Sequence, residues 1–332
     1  MFTRPADLGD DDVRRALHAG WGLDVSLVEH APVGFGSHHW SAVADGTGWF
    51  VTVDDLVARR LTRDEPASAA LERLHAALAT ARALHDEGMP FVVAPVPTRA
   101  GGVLHPIGER WAVSLFPLVE GGTHTWGPYR TDAERAAVVA LLARLHEAPA
   151  SCRALARVDD LTVPRLEALL ALVERLSGDR TPWDGGPYAE PTRRLLTARS
   201  DTVRALAARH RALASAQRSR PDRFVLTHGE PHRANTLDTA AGVVLVDWDT
   251  VLLAPPERDL WRLVGEDAGV AGTYRELTGI RLEGEALDLY ALAWDLADLA
   301  SFAADLRRPH VDDDDTRTAW AGLRAVLEGG TS

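Results

Sequence analysis

Apolar positions in the first third of the chain switch between two spacings. Behind an acidic start, Val13 and Leu17 with the stop at Gly20 keep helical spacing, which predicts an entry helix over 10–20. Short β-branched and aromatic runs follow at 25–29, 40–44 and 49–53. Gly34-Phe35-Gly36-Ser37 and Asp45-Gly46-Thr47-Gly48 join them, the signature of an antiparallel meander. Leu71, Leu74, Leu78 and Leu84 lie on or near one face of a helix over 66–87 that Gly88 ends. The runs at 91–96, 103–104 and 111–115 read as strands, the last stopping before Pro117.

Glu120-Gly121-Gly122 breaks this pattern, and alanine- and leucine-rich helical spacing takes over at 133–146, 164–176 and 191–216, with a closing helix over 285–306. Two short apolar runs, 224–227 and 243–246, frame a polar cluster. The expected fold class is therefore α+β in two lobes: an antiparallel-sheet lobe over 1–115, a hinge over 116–122, and a mostly helical lobe over 123–332.

Composition narrows the function. Hydrophobic residues at 46% and charged residues at 25% fit a globular chain with disorder confined to its ends. The start lacks an apolar core flanked by basic residues, and no stretch approaches the roughly 18 apolar residues of a membrane span, so a cytoplasmic protein without membrane association is expected. Cys152 is the sole cysteine, which excludes an intramolecular disulfide and a thiolate metal cluster. Acidic residues outnumber basic ones by 48 to 36, a formal charge of −12 that argues against nucleic acid and favours a cationic small-molecule ligand. All 36 basic residues are arginine; the chain has no lysine. The pattern specifies no oligomeric state.

The chemistry concentrates in His228-Gly229-Glu230-Pro231-His232-Arg233-Ala234-Asn235, followed after a short strand by Asp247-Trp248-Asp249. Phosphoryl transfer needs a carboxylate beside the acceptor hydroxyl and oxygen ligands for Mg²⁺ on the nucleotide phosphates. A kinase signature sets a His two residues before the catalytic acid, an Asn five residues after it, and a metal-binding Asp further on. His228, Glu230, Asn235 and Asp247 keep that order and spacing. Any one of them alone reads as part of a hydrogen-bonded loop; the ordered set points to a kinase.

With Leu145-His146 after the hinge and 255–260 after the metal loop, this segment resembles the aminoglycoside phosphotransferase family, nearest to its spectinomycin-kinase-like branch. The resemblance spans most of the chain, with its specific motifs in 225–260. It implies ATP or GTP as co-substrate with Mg²⁺, Glu230 as the acceptor-orienting base, and His228 as the buttress of its loop. Asn235 and Asp247 become the metal ligands, with Asp249 as a secondary metal group. It further implies that 255–259 braces the catalytic loop, Arg258 and Asp259 forming an ion pair.

Gly34, Gly36, Ser37 and His38 lie where a turn could cover nucleotide phosphates, although such sequences also make plain hairpin turns. The resemblance implies that the backbone from Phe116 through Leu118 to Val119 meets the base; by sequence alone it is a strand end. His146 reads as a buried support and His232 as a packing residue or a phosphate contact. Asp267 and, on the closing helix, Trp294, Asp295 and Asp298, with Asp288 and Asp305 near the same spacing, are candidates for an acidic substrate cleft; a solvated helix face is the alternative.

Two departures from the family bear on activity. Where the resemblance implies a strand lysine on the phosphates, Trp49-Phe50-Val51-Thr52-Val53 offers Thr52, a neutral hydroxyl in place of a charge worth about 4 kcal/mol at 4 Å and an effective dielectric near 20. Arg59, Arg60, His38 and His39 are the candidate replacements, and Glu72, the candidate lysine partner, reads instead as a solvated helix charge. Glu230 stands where the family has aspartate, and a shift of about an ångström in a positioning group costs roughly 100-fold. The expectation is a phosphotransferase acting on a hydroxyl of an aminoglycoside-like molecule, weakened by these two changes. The alternatives are a catalytically impaired pseudokinase that binds nucleotide or ligand, and a kinase of another metabolite such as choline or a sugar.

Overall fold

A computed structural model describes residues 4–329 except Phe35 and Arg63. The chain begins with α1 (Asp10–Trp21), β1 (Leu27–Ala31), β2 (His38–Ala44), β3 (Thr47–Asp55), α2 (Ala67–Asp86), β4 (His105–Ile107), β5 (Trp111–Pro117) and β6 (Gly122–Thr123). Then come α3 (Asp132–His146), α4 (Ala150–Arg153), α5 (Leu166–Leu176), α6 (Ala189–Ala198) and α7 (Ser200–Arg218). It closes with β7 (Val225–Thr227), β8 (Thr236–Thr239), β9 (Gly242–Leu245), β10 (Leu252–Ala254), α8 (Glu257–Glu266), α9 (Gly269–Thr278), α10 (Gly284–Arg307) and α11 (Asp314–Glu328). Packing groups these elements into two units: residues up to Asp159 with Arg223–Arg281, and Asp160–Asp222 with the residues from Leu282 on. The sheet and the 228–249 segment thus share one unit, and the expected hinge runs from the end of β5 into β6.

In the first unit, strands in the order β1-β2-β3-β5-β4 make an antiparallel sheet. Alternation sorts its side chains onto two faces. Trp40, Val51, Val53 and Val113 bury against Val13 and Leu17 of α1, while Ala112 faces Ala70, Leu74 and Leu78 of α2. Fully burying a side chain such as Leu74 stabilises the fold by about 1.5–3 kcal/mol, so the two helices clamp the sheet from both sides. Phe50, Thr52 and Asp54 share the α2 side of β3, with Thr52 between His39 and Ser114 in register. Two smaller antiparallel sheets, β10-β7 and β6-β8-β9, fix the ends of the polar segment, pairing Thr227 with Leu252 and Thr236 with Leu245.

The second unit is helical. Leu169, Leu172, Leu196, Leu296, Leu299 and Leu323, drawn from α5, α6, α10 and α11, bury in one core. Trp294, Asp295 and Asp298 are half-buried on α10, whereas Asp288 pairs with Arg209 at 2.5 Å and Asp305 with Arg308 at 3.3 Å. No described helix is long and apolar enough to cross a membrane.

Several expected elements differ. Residues 91–96 form no strand: Pro90, Pro95 and Pro97 interrupt the supply of N–H donors, leaving a bridge from Val92 to Leu245 and a bond from Val96 N–H to Leu115 O at 2.7 Å. Instead of the strand expected at 103–104, β4 occupies 105–107. The helix expected over 191–216 breaks at Arg199 (φ −111°, ψ 17°), with neither Gly nor Pro to announce it. The 255–260 segment runs directly into α8.

Candidate active site

The loop after β7 is built around a buried carboxylate. Asp259 at the start of α8 accepts the backbone N–H groups of His228 at 2.8 Å and Gly229 at 2.6 Å, and lies 3.1 Å from His146 Nε2. His146 Nδ1 is 2.7 Å from the Tyr274 hydroxyl. Burial raises the Asp259 carboxyl, but His146, Arg258 and His228 outweigh it and hold it below its ordinary value. Arg258 donates to Thr227 Oγ1 and to Thr250 O, both at 2.9 Å, and lies 3.9 Å from Asp159. Arg258 and Asp259, expected to pair with each other, instead each grip the loop. Gly229 adopts φ +102°, and a Cβ there would lie 2.5 Å from the Arg258 guanidinium. Only glycine meets both conditions.

His228 is fixed within the same loop. Its Nε2 lies 2.9 Å from Val246 O, its carbonyl accepts the Thr250 hydroxyl at 2.7 Å, and its ring meets Trp248 edge-on. Burial lowers its pKa, which suits a structural imidazole over a proton carrier. The backbone N–H of Glu230 approaches His228 Nδ1 at 3.3 Å, and its carbonyl accepts Asn235 Nδ2 at 3.0 Å. That bond leaves the Asn235 amide oxygen as an acceptor. The Glu230 side chain is 39% exposed, within reach of a solute, with His232 Nε2 3.8 Å away.

Two residues past β9, Asp247 sits in the left-handed region (φ 66°, ψ 61°). Burial pushes its carboxyl well above the ordinary value, and the charges of Asp249 and Glu230 add to the effect, as does a hydrogen bond with Asp249. Crowded carboxylates with too little positive charge are what a divalent cation would relieve, so the residues present fit Mg²⁺. Among the described residues no three His, Cys, Asp or Glu side chains converge to hold an ion alone. Mg²⁺ on nucleotide phosphates asks for less, one or two carboxylates beside phosphate and water oxygens.

Arg59, in the turn after β3, joins three segments. Its Nε donates to Asp54 Oδ1 at 2.8 Å, its Nη2 to Ser37 Oγ at 3.0 Å, and it pairs with Asp249. Ser37 Oγ donates to the same Asp54 oxygen at 2.6 Å. Burial alone would lower the Arg59 pKa, but Asp54 and Asp249 reverse this and keep it above its ordinary value. Two of the other candidate cations, the histidines, are engaged elsewhere. His38 is buried edge-on to Trp111. His39, stacked on Phe50 and 2.7 Å from Val33 O, is pushed by burial down to about 4 and is neutral at pH 7. Glu72 is exposed, as expected, and α2 turns Arg73 inward instead, pairing it with Glu65 and donating to Arg59 O at 2.9 Å.

The remaining candidates are placed as follows. Gly34 and Gly36 take positive φ in the turn before β2, with Phe35 outside the described residues. Thr52 points to the same side as Asp54 but carries no charge. Phe116 packs toward α2, and the Leu118 N–H is donated to Gly48 O at 3.3 Å. His232 packs edge-on to Trp126, and Tyr129 OH donates to Pro231 O at 3.0 Å. Asp267 is engaged locally, accepting Gly269 N at 2.8 Å and lying 3.6 Å from Arg135. Asp54, Ser37, Arg59 and Asp249 form a constellation that spacing could not show, because Asp249 lies 190 residues from Arg59.

A family model described as a phosphotransferase enzyme family matches residues 41–308. Protein StrN of Streptomyces griseus is 35% identical over 253 residues, 74% of each chain. The solved structure of a spectinomycin phosphotransferase with ADP and spectinomycin aligns with a TM-score of 0.71 over 97% of both chains at 18% identity. Choline kinase LicA from Streptococcus pneumoniae aligns with a TM-score of 0.54 over 96% of this chain and 98% of its own, at 12% identity. At such identities the likeness to both structures is one of fold, and it is the kinase-like α+β fold expected from the sequence.

Proposed function

This chain belongs to the phosphotransferase enzyme family, and from that premise we propose that it transfers the γ-phosphoryl group of ATP or GTP to a hydroxyl of a small, cationic, aminoglycoside-like molecule. The observation that carries the reading is that Glu230, Asn235 and His228 hang from one loop tied together through Asp259, with Asp247 beside it. The Asn235 amide oxygen and an Asp247 carboxylate oxygen would hold Mg²⁺, which offsets the charge of the nucleotide phosphates when bound. Glu230 orients the acceptor hydroxyl and takes its proton as the new O–P bond forms. The bond from the γ-phosphorus to its bridging oxygen breaks, and the nucleoside diphosphate leaves.

The formal charge of −12 favours a cationic acceptor over an anionic one. The fold likeness to a spectinomycin phosphotransferase supports an aminoglycoside-like acceptor, and the likeness to a choline kinase supports a small amino alcohol as the second choice. Thr52 favours the competing reading of an impaired enzyme. Incubation with Mg²⁺ and ATP or GTP and a panel of aminoglycosides, spectinomycin and choline, followed by mass spectrometry, separates these readings. Gain of one phosphoryl group on an acceptor supports transfer. Nucleotide binding with no product on any member supports impairment.

A further inference from the structure

We propose that Arg59 is the nucleotide-phosphate ligand of this protein, supplied from the turn after β3 in place of a strand lysine and aimed by Asp54 and Ser37. The inference rests on the phosphotransferase reading and names a residue which that reading leaves open. A cation is needed at the phosphates, the chain contains no lysine, and Thr52 supplies no charge. Arg59 alone among the candidates joins the three elements that would surround a triphosphate: the turn before β2 through Ser37, β3 through Asp54, and the metal loop through Asp249. Arg60, next in sequence, makes no ion pair among the described residues, and its Nε is buried without a hydrogen bond.

The Arg59 side chain is 24% exposed, and its Nη1 makes no hydrogen bond among the described residues, so two N–H donors remain for a ligand. The other edge of the guanidinium is anchored on Asp54, which is 1% exposed. Its backbone is anchored as well, because Arg73 donates to Arg59 O and is itself paired with Glu65. A fixed planar fork with one open edge suits phosphate oxygens, and a phosphate that took the place of Asp249 on Arg59 would leave that carboxylate for Mg²⁺.

The test compares binding of MgATP and MgGTP with binding of adenosine and guanosine, by calorimetry, in the full chain and in Arg59→Ala, Arg59→Lys and the double variant Arg59→Ala with Asp54→Asn. The double variant spares the fold an unpaired buried carboxylate. We expect Arg59→Ala, alone or in the double variant, to weaken triphosphate binding on the order of 10- to 100-fold with nucleoside binding unchanged, and Arg59→Lys to recover part of the loss. Equal weakening of nucleoside and triphosphate marks a structural role and overturns the proposal, as does an unchanged triphosphate affinity. A parent chain that binds neither triphosphate overturns both this proposal and the transfer reading. If the parent binds triphosphate, Arg59→Ala loses it and no acceptor is phosphorylated, the Arg59 assignment stands and the transfer reading falls.

Discussion

Replacing Asp259 by Asn tests whether the catalytic loop is held by one buried charge. The carboxylate accepts two backbone N–H groups, at 2.8 Å and 2.6 Å, and lies 3.1 Å from His146 Nε2, with its side chain fully buried. An amide keeps one acceptor oxygen, so in either orientation its NH₂ faces a buried donor: the N–H of His228 or that of Gly229. A change of tautomer at His146 could satisfy the histidine, but no rearrangement of protons satisfies the second backbone N–H. An unpaired buried donor costs about 1–3 kcal/mol, and with the charge-assisted bonds also lost the total comes to about 3–5 kcal/mol. Urea unfolding should show a lower midpoint at unchanged slope, and the turnover number should fall by about 100-fold or more as Glu230 and Asn235 shift with their loop. A variant within about 1 kcal/mol of the parent and equally active would refute the account of Asp259 as the organiser of this site.

Other substitutions probe the site's neighbours. Gly229→Ala forces a Cβ to 2.5 Å from the Arg258 guanidinium at φ +102°, and should cost about 2–4 kcal/mol in denaturant unfolding and most of the activity. Tyr129→Phe removes the bond to Pro231 O and should cost about 1 kcal/mol by the same assay, with a small rise in KM for the acceptor. His39 is held neutral down to about 4, whereas an unfolded histidine takes up its proton near 6.5. Between those values the unfolded chain binds more protons, so stability falls as pH drops through 6.5 toward 4, by roughly 3 kcal/mol at the full extent and not at all above 6.5. His39→Asn should flatten the pH dependence measured by urea unfolding at about pH 7 and about pH 5.

Local rules made part of this legible in advance. Alternation at 40–44 and 49–53 marks β2 and β3 because one face of each strand must be buried, and Leu74 with Leu78 marks the inward face of α2. The spacing of His228, Glu230, Asn235 and Asp247 is legible because a short loop and a hairpin fix their separation. Arg59 could only be one candidate among four, since its partners at 37, 54 and 249 meet through tertiary packing. His38 was expected over the phosphates, but strand alternation turns it toward Trp111, a consequence of where β2 starts that the Gly-rich turn hides. The apolar residues of 91–96 make it resemble a strand, while Pro95 within the run and Pro90 and Pro97 at its edges break the ladder of donors. The break at Arg199 has no residue-level signal.

Single-turnover, rapid-quench transfer of a labelled γ-phosphoryl group to the best acceptor of the panel, with and without Mg²⁺, tests the central claim most directly when run in the parent, Glu230→Gln and Asp247→Asn chains. Transfer should require Mg²⁺ in the parent, fall by about 100-fold or more in Glu230→Gln at unchanged nucleotide affinity, and be lost in Asp247→Asn. Transfer that proceeds without Mg²⁺, or at the parent rate in Glu230→Gln, would contradict it.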